Sequence, residues 1–595
     1  MAWAAGIPQG RRKPVVGALI RPVVIAELMW LALGILCRSF VRWTGGAVLA
    51  HQHLIPRYHN RMRKRYRACE ACHRLKIKCD GSTAAEGGCE RCLRHNLDCV
   101  PAAPRLQRDR ISELEAQVEE LRIALRDQSS GSNGTTPNRS PGSSLESADH
   151  SQTILSFLDA RISLSQQQHL LHLYSHQAGA AWPVIRLPVD LDQIRGKSPT
   201  LLLSVLVYAI TQEEQGTDLE VHDELVRETM HILGGEVIGR GQITLELVQA
   251  LLIATFWNKA TRRGQQGSCY QILQLATDMA IDLGIAGPGL QPSPAAYFFR
   301  YPNSTSLEAR RTWLACFVAL ANSSIITRRT NPVPWDVYHE ECLLDLETRG
   351  ELPDMLFCQI ARITQLIQET SDALHLCQIT TFVDANHYST HATIETLQNK
   401  VDAWAAQVPA HLASNPTLKV WRHVAMIYIY ELVLHSSTNK ASFAAPFIPG
   451  RIVVKDFPKP ANVISPLREA LEAIIYHCHV VLDTAAEMDA GLVLSLPSFC
   501  FAPTLLYSLF VLVNALVACT DPTSTYGQWV SKDSFRIEEC GMKLRNLTAC
   551  LKLLDPTMSC YTTRLVDATG WLEEWHNDYN AILLRYEMSF IHVGW

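Results

Sequence analysis

Six cysteines fall within one short stretch: Cys69, Cys72, Cys79, Cys89, Cys92 and Cys99. Their spacing is C-x2-C-x6-C-x9-C-x2-C-x6-C, two similar halves around a variable loop. A C-x2-C pair brings two thiolates to one metal from a tight turn, and Zn²⁺ takes four ligands with Zn–S at about 2.3 Å. Two separate tetrahedra need about eight sulfurs, but six suffice where two of them bridge and count twice. Such a cluster carries a charge of about −6 + 4 = −2. A segment this small has no hydrophobic core of its own, so bound metal supplies its folding free energy. A disulfide framework is the competing reading. It is disfavoured because the chain has no clean secretory signal and the spacing suits metal better. A zinc knuckle used only for protein contacts is a second competitor.

The residues between the cysteines read Arg67-Ala68-Cys69-Glu70-Ala71-Cys72-His73-Arg74-Leu75-Lys76-Ile77-Lys78-Cys79-Asp80-Gly81. Spacing and intervening residues together resemble the fungal binuclear zinc-cluster family of DNA-binding regulators. The resemblance implies two Zn²⁺ per chain. It also implies that Cys69 and Cys89 bridge, that Cys72 and Cys79 complete one site, and that Cys92 and Cys99 complete the other. The loop from Ser82 to Gly88 departs from the family pattern in lacking proline.

Between Arg61 and Arg110 there are 13 Lys+Arg against 6 Asp+Glu, a surplus of +7 in a chain whose net charge is −4. Positive charge is therefore concentrated around the cysteines, where a phosphate backbone would sit. The stretch from Cys72 to Cys79 is expected to be one or two helical turns. The family places the end of that helix in the major groove of double-stranded DNA, where a lysine can donate to guanine O6 and N7 of a CGG half-site. Lys76 occupies the family's base-contacting position. Lys78, Arg74 and His73 are expected to hold phosphates, and Arg91 and Arg94 of the second half are further backbone-contact candidates. Arg61 to Arg67, with five basic residues in seven, doubles as a candidate nuclear import signal.

The domain boundaries follow from composition. Residues 61–104 form the zinc-cluster unit and end in an extended, proline-flanked segment. In 105–127, Ile111, Leu114, Val118, Leu121 and Leu125 repeat at alternating intervals of 3 and 4 residues. That is an a/d seam of about two heptads, and β-branched a positions with leucine at d favour a parallel pair of helices. A homodimer reading two half-sites is expected, with one helix packed on its own chain as the alternative. Residues 128–152, rich in Ser, Gly, Asn and Pro, read as a disordered tether.

Residues 153–595 are long enough for a large core and are patterned as helices, which makes the chain mainly α with a large all-helical regulatory domain. Apolar runs at 201–208, 248–257 and 505–519 suit buried helices, the last at about 15 residues falling short of a bilayer span. Glu308-Ala309-Arg310-Arg311-Thr312-Trp313-Leu314-Ala315-Cys316, Arg328-Arg329-Thr330-Asn331-Pro332 and His339-Glu340-Glu341-Cys342-Leu343 resemble the fungal-specific transcription-factor middle domain over residues 155–480. That resemblance implies a regulatory body open to transcription machinery, co-regulators or a small-molecule effector.

Enzyme chemistry finds no foothold. There is no G-x-S-x-G elbow, H-E-x-x-H zinc helix or P-loop. The glycine-rich run 234–241 has the wrong spacing for phosphate and reads as a turn between helices. His477, Cys478 and His479 are neighbours that cannot all face one ion from a helix. The other twelve cysteines, scattered without paired spacing, read as small buried hydrophobes in a reducing compartment.

Residues 1–60 stand apart. Their apolar stretch is broken by Arg21 and Glu27, and three readings stay open: an upstream gene-model extension with Met62 as the true start, a tail without special role, and a targeting segment. No stable membrane association is expected. The sequence thus points to a nuclear, sequence-specific regulator of RNA polymerase II genes, reading CGG-type half-sites and controlling a metabolic or secondary-metabolite gene cluster. Its alternative is a metabolite-sensing scaffold whose output is partner binding.

Overall fold

The computed structural model describes Cys69, Cys72, Cys79 and residues 89–95, 143–209, 219–259, 269–294, 296, 301–452, 454, 456–460 and 463–591. Lys76, Lys78, Arg74, His73, Cys99, the heptad residues from Ile111 to Leu125 and residues 1–60 lie outside this set. Two compact units are formed, one within residues 41–144 and one made chiefly of residues 145–595.

The first unit contributes the short helix α1 (Glu90–Arg94). Helices of the second include α2 (Ser143–Asp159), α3 (Leu219–Gly234), α4 (Leu245–Phe256), α5 (Leu307–Thr327), α6 (Val337–Arg349) and α7 (Leu352–Ala373). They are followed by α8 (Pro416–Tyr430), α9 (Ser465–Glu487), α10 (Phe501–Thr520), α11 (Ile537–Leu554), α12 (Tyr561–Asp567) and α13 (Trp571–Ile591). Among the described residues there is no strand, and an isolated bridge pairs Lys259 with Cys560. The mainly helical fold expected from periodicity is the fold observed.

Helix α2 occupies residues 143–152, the end of the stretch expected to be a tether. Its far end explains why: Ile154 and Leu158 are buried in the body and anchor the polar turns before them. The glycine-rich run is also partly helical. α3 continues to Gly234 and one π turn covers Gly235–Gly239 before the chain reverses at Gly241, whose φ of 65° suits glycine.

The apolar run at 505–519 belongs to a longer helix than expected. α10 has 20 residues, long and apolar enough to cross a membrane by length and composition, yet 94% of its most apolar window is buried in protein. Polar donors on it are met locally, with Ser508 donating to the Thr504 carbonyl at 2.9 Å and Asn514 Nδ2 to that of Phe510 at 2.7 Å.

The Arg-Arg-Thr-Trp segment of α5 is structural. Ser306 caps the helix by accepting from the Ala309 amide. Arg311 makes a bidentate pair with Asp354 (2.7 and 3.0 Å) at the start of α7, both side chains buried. Arg310 reaches the Glu341 carbonyl and Asp345 on α6. α5 ends at Arg328, a left-handed residue (φ 54°). Its guanidinium donates to Glu431 at 2.7 Å and to the Phe443 carbonyl at 3.2 Å, and lies over the stacked rings of Tyr428 and Tyr507. Tyr507 donates to the same carboxylate at 2.5 Å. Burial works against both charges, but mutual attraction wins: the Glu431 carboxyl is held below its ordinary range and the Arg328 guanidinium above its own.

Breaking a buried pair from one side strands the other charge. Glu431→Leu is expected to cost about 3–5 kcal/mol of unfolding free energy in urea titration, while Arg328→Met with Glu431→Leu recovers most of that loss. A double variant as unstable as the sum of the two single variants would show that the pair is not what holds α5 to α8.

Candidate metal centre

Two C-x2-C turns build the site. Cys72 lies in helical conformation, and Cys89 directly precedes α1, so Cys92 falls in that helix one turn further on. The His95 amide closes α1 on the Arg91 carbonyl at 3.1 Å. The sulfurs of Cys69, Cys72, Cys79 and Cys89 all lie within 4.8 Å of one another. Two of these separations are tighter, Cys69 to Cys89 at 3.8 Å and Cys72 to Cys89 at 3.7 Å, and Cys92 joins the group at 3.6 Å from Cys69.

Those separations match metal coordination. A tetrahedron with Zn–S of about 2.3 Å has an S···S edge of about 3.8 Å, whereas a disulfide holds its sulfurs at about 2.05 Å. All the described cysteines carry free thiols. Cys69, Cys72, Cys89 and Cys92 are buried, and Cys79 packs against them half-buried. Cys69 and Cys89 each approach the other and both Cys72 and Cys92.

The electrostatics of the sulfurs alone call for cations. Burial pushes the Cys72 thiol up to about 11, with hydrogen bonding to Cys69 adding to the shift and Arg91 opposing it. Cys92 is also pushed up, first by burial and then by Cys89 and Cys69. Cys89 is lowered, chiefly by a backbone hydrogen bond at Cys92. So many sulfurs cannot be thiolates together without positive charge among them, and a bound divalent ion deprotonates its thiol ligands outright.

Arg91, expected to meet a DNA phosphate, also lies against the cluster. Its Nη1 donates to Cys72 Sγ at 3.8 Å, joining the second half of the motif to the first. The sequence held a signal for this contact: a half-buried arginine between two cysteines of an anionic cluster has a nearer anion than DNA. Arg94, on the same helix, is exposed.

The other candidates for chemistry are dispersed. His477, Cys478 and His479 of α9 face three surroundings. His477 Nδ1 lies 2.7 Å from His423 Nδ1 of α8, His479 meets the Ser534 carbonyl and Cys540, and Cys478 is sealed in the core. Of the scattered cysteines that are described, most are buried, but Cys550 is exposed and is not the core residue its type suggested. Trp571 to Tyr579 forms the start of α13, with Leu572, His576 and Tyr579 buried, so this acidic-aromatic stretch is part of the body.

Comparison with known proteins agrees with this geometry. Residues 67–109 match the fungal Zn(2)-Cys(6) binuclear cluster domain, which binds two zinc ions. The chain is 26% identical over 363 residues to "Transcription factor pbcR" of Emericella nidulans, covering 52% of this chain but only 48% of that protein. It is 23% identical over 456 residues to "Transcription factor opdL" of Penicillium oxalicum, covering 71% of this chain and 78% of the relative. Both relatives are named as transcription factors, not enzymes. No solved structure matches.

The Arg91 contact makes a specific prediction. Arg91→Ala removes a charge-assisted donor to a thiolate, worth about 1.5–3 kcal/mol, and is expected to speed zinc release to a chromogenic chelator by about tenfold or more. Arg91→Lys should recover part of the loss. Unchanged release from Arg91→Ala would return this residue to the list of phosphate contacts.

Proposed function

We propose that this chain is a nuclear, sequence-specific DNA-binding transcription factor acting on RNA polymerase II genes. The observation that carries the reading is the knot of sulfurs at tetrahedral-edge distances inside a matched binuclear zinc-cluster domain. Cys69 and Cys89 serve as the bridging ligands; Cys72 and Cys79 complete one zinc, and Cys92 and Cys99 the other.

The metal's part is to fix the backbone of the patch and to hold the six sulfurs as thiolates. The chain's own residues do the reading. Lys76 contacts guanine edges of a CGG half-site, and Lys78, Arg74, His73 and Arg94 set the register on phosphates. The local surplus of positive charge draws the unit to DNA despite a net charge of −4. Ile111, Leu114, Val118, Leu121 and Leu125 pair two chains, so that two half-sites are engaged together. The helical body passes regulation to the transcription machinery and co-regulators. The regulated genes belong to a metabolic or secondary-metabolite cluster.

The base-reading role separates from the electrostatic one by salt and sequence. Lys76→Ala is expected to lower discrimination between a CGG site and a scrambled duplex by about 1–3 kcal/mol, read in gel-shift competition, with non-specific binding nearly intact. Neutralising Arg105, Arg108 and Arg110 should weaken binding to both duplexes alike and flatten the salt dependence. A Lys76→Ala protein that still prefers the CGG site would move base readout to another residue.

A further inference from the structure

The helix Leu164–His176 is held to the helical body in one orientation. Ser163 and Gln166 close its first turn as a capping box: Ser163 Oγ accepts from the Gln166 amide and Gln166 Oε1 from the Ser163 amide. Gln167, Leu170, Leu171 and Tyr174 are buried on its inner face. Gln167 donates to the Ile162 carbonyl and to Asp159, and Tyr174 donates to the Ile185 carbonyl at 2.9 Å. The outer face therefore has a fixed direction. It carries His169, His172 and His176, all exposed.

Residues four apart on a helix are neighbours on one face. His172 and His176 stand in that relation, and their Nε2 atoms converge to 3.1 Å, with ring centroids 4.2 Å apart and planes at 52°. A tetrahedral zinc with Zn–N of about 2.0–2.1 Å has N···N edges of about 3.3–3.4 Å. The two nitrogens thus need to part only slightly to share one ion, a movement open to exposed rings. Position adds to geometry. The pair spans the last turn, where the carbonyls of a helix end carry negative partial charge and favour a cation. Among the described residues no third histidine, cysteine or carboxylate atom is gathered with them. Solvent fills the remaining positions, as at an open metal site.

We propose that His172 and His176 form an exposed, exchangeable site on the helical body for one divalent transition-metal ion of the class that imidazole prefers, Zn²⁺, Ni²⁺ or Cu²⁺. Hard cations such as Mg²⁺, which take oxygen ligands, are not held. Without metal, one ring donates its Nε2–H to the other. Binding needs both Nε2 lone pairs, so the donating ring carries its proton on Nδ1 instead, with no net proton lost. Two nitrogens grip an ion less firmly than four thiolates, so this ion exchanges under conditions in which the cysteine patch keeps its own. The site lies outside the matched zinc-cluster domain of residues 67–109 and does not depend on DNA binding.

Equilibrium dialysis of the full-length, zinc-loaded chain against rising Zn²⁺, with metal counted per chain, is the test. The wild type is expected to take up one further Zn²⁺ above those of the cysteine patch, and no Mg²⁺ in its place. His172→Gln and His176→Gln should each weaken that uptake about tenfold or more, since even losing a hydrogen-bond partner of a metal ligand costs about 10–100-fold. Both positions are exposed, so the fold and the zinc of the cysteine patch should be unchanged. His169→Gln alters the same face without touching the pair and should bind as the wild type does. The readout is a difference between variants, so it holds whatever the cysteine patch carries. The proposal is overturned if the wild type takes up no further ion, if Mg²⁺ is bound equally, if either pair variant keeps the wild-type affinity, or if His169→Gln loses as much as they do.

Discussion

Charge neutralisation at sulfur is the constraint on which the DNA-facing part of this protein rests. Thiolates gathered at separations of 3.6–3.8 Å repel one another, and burial adds a further penalty to each charge. Two divalent cations reverse that balance and turn a core-less segment into a rigid one. The Arg91 guanidinium on Cys72 adds a smaller positive charge from the protein itself. Rigidity then matters for recognition, because a lysine can distinguish guanine only if the backbone that carries it is held in place.

The helical body follows the same rule with different means. Its buried charges are matched by protein groups: Arg311 by Asp354, Arg328 by Glu431, and Lys440 by three carbonyls. These contacts tie the ends of helices to distant partners, so they fix how α5, α7 and α8 meet. Arg328 shows the cost clearly. A non-glycine residue in the left-handed region is strained by about 1–3 kcal/mol, and the carboxylate, a carbonyl and two aromatic rings hold it there.

Much of the metal centre was legible because ligand spacing is a local property. A C-x2-C turn places two sulfurs together whatever the rest of the chain does. The helical character of 153–595 was legible for a similar reason, since periodicity is local too. What sequence did not give depends on distant partners. The polar start of α2 read as tether because the residues that anchor it, Ile154 and Leu158, lie beyond it. α10 runs longer than its apolar stretch because Pro503 falls in its first turn, where proline is tolerated, and Thr504 satisfies itself on the Phe501 carbonyl. Arg91 read as a phosphate contact because the sulfur it meets is supplied by the other half of the motif.

The central claim is that metal, and not sulfur–sulfur bonding, organises the cysteine patch. Native mass spectrometry of the freshly isolated chain tests it most directly, supported by thiol counting after denaturation in chelator. The account predicts a mass excess of two zinc ions per polypeptide and six titratable thiols in residues 69–99 once metal is removed. A chain that carries no zinc, or whose cysteines in that stretch are found joined to one another, would contradict it.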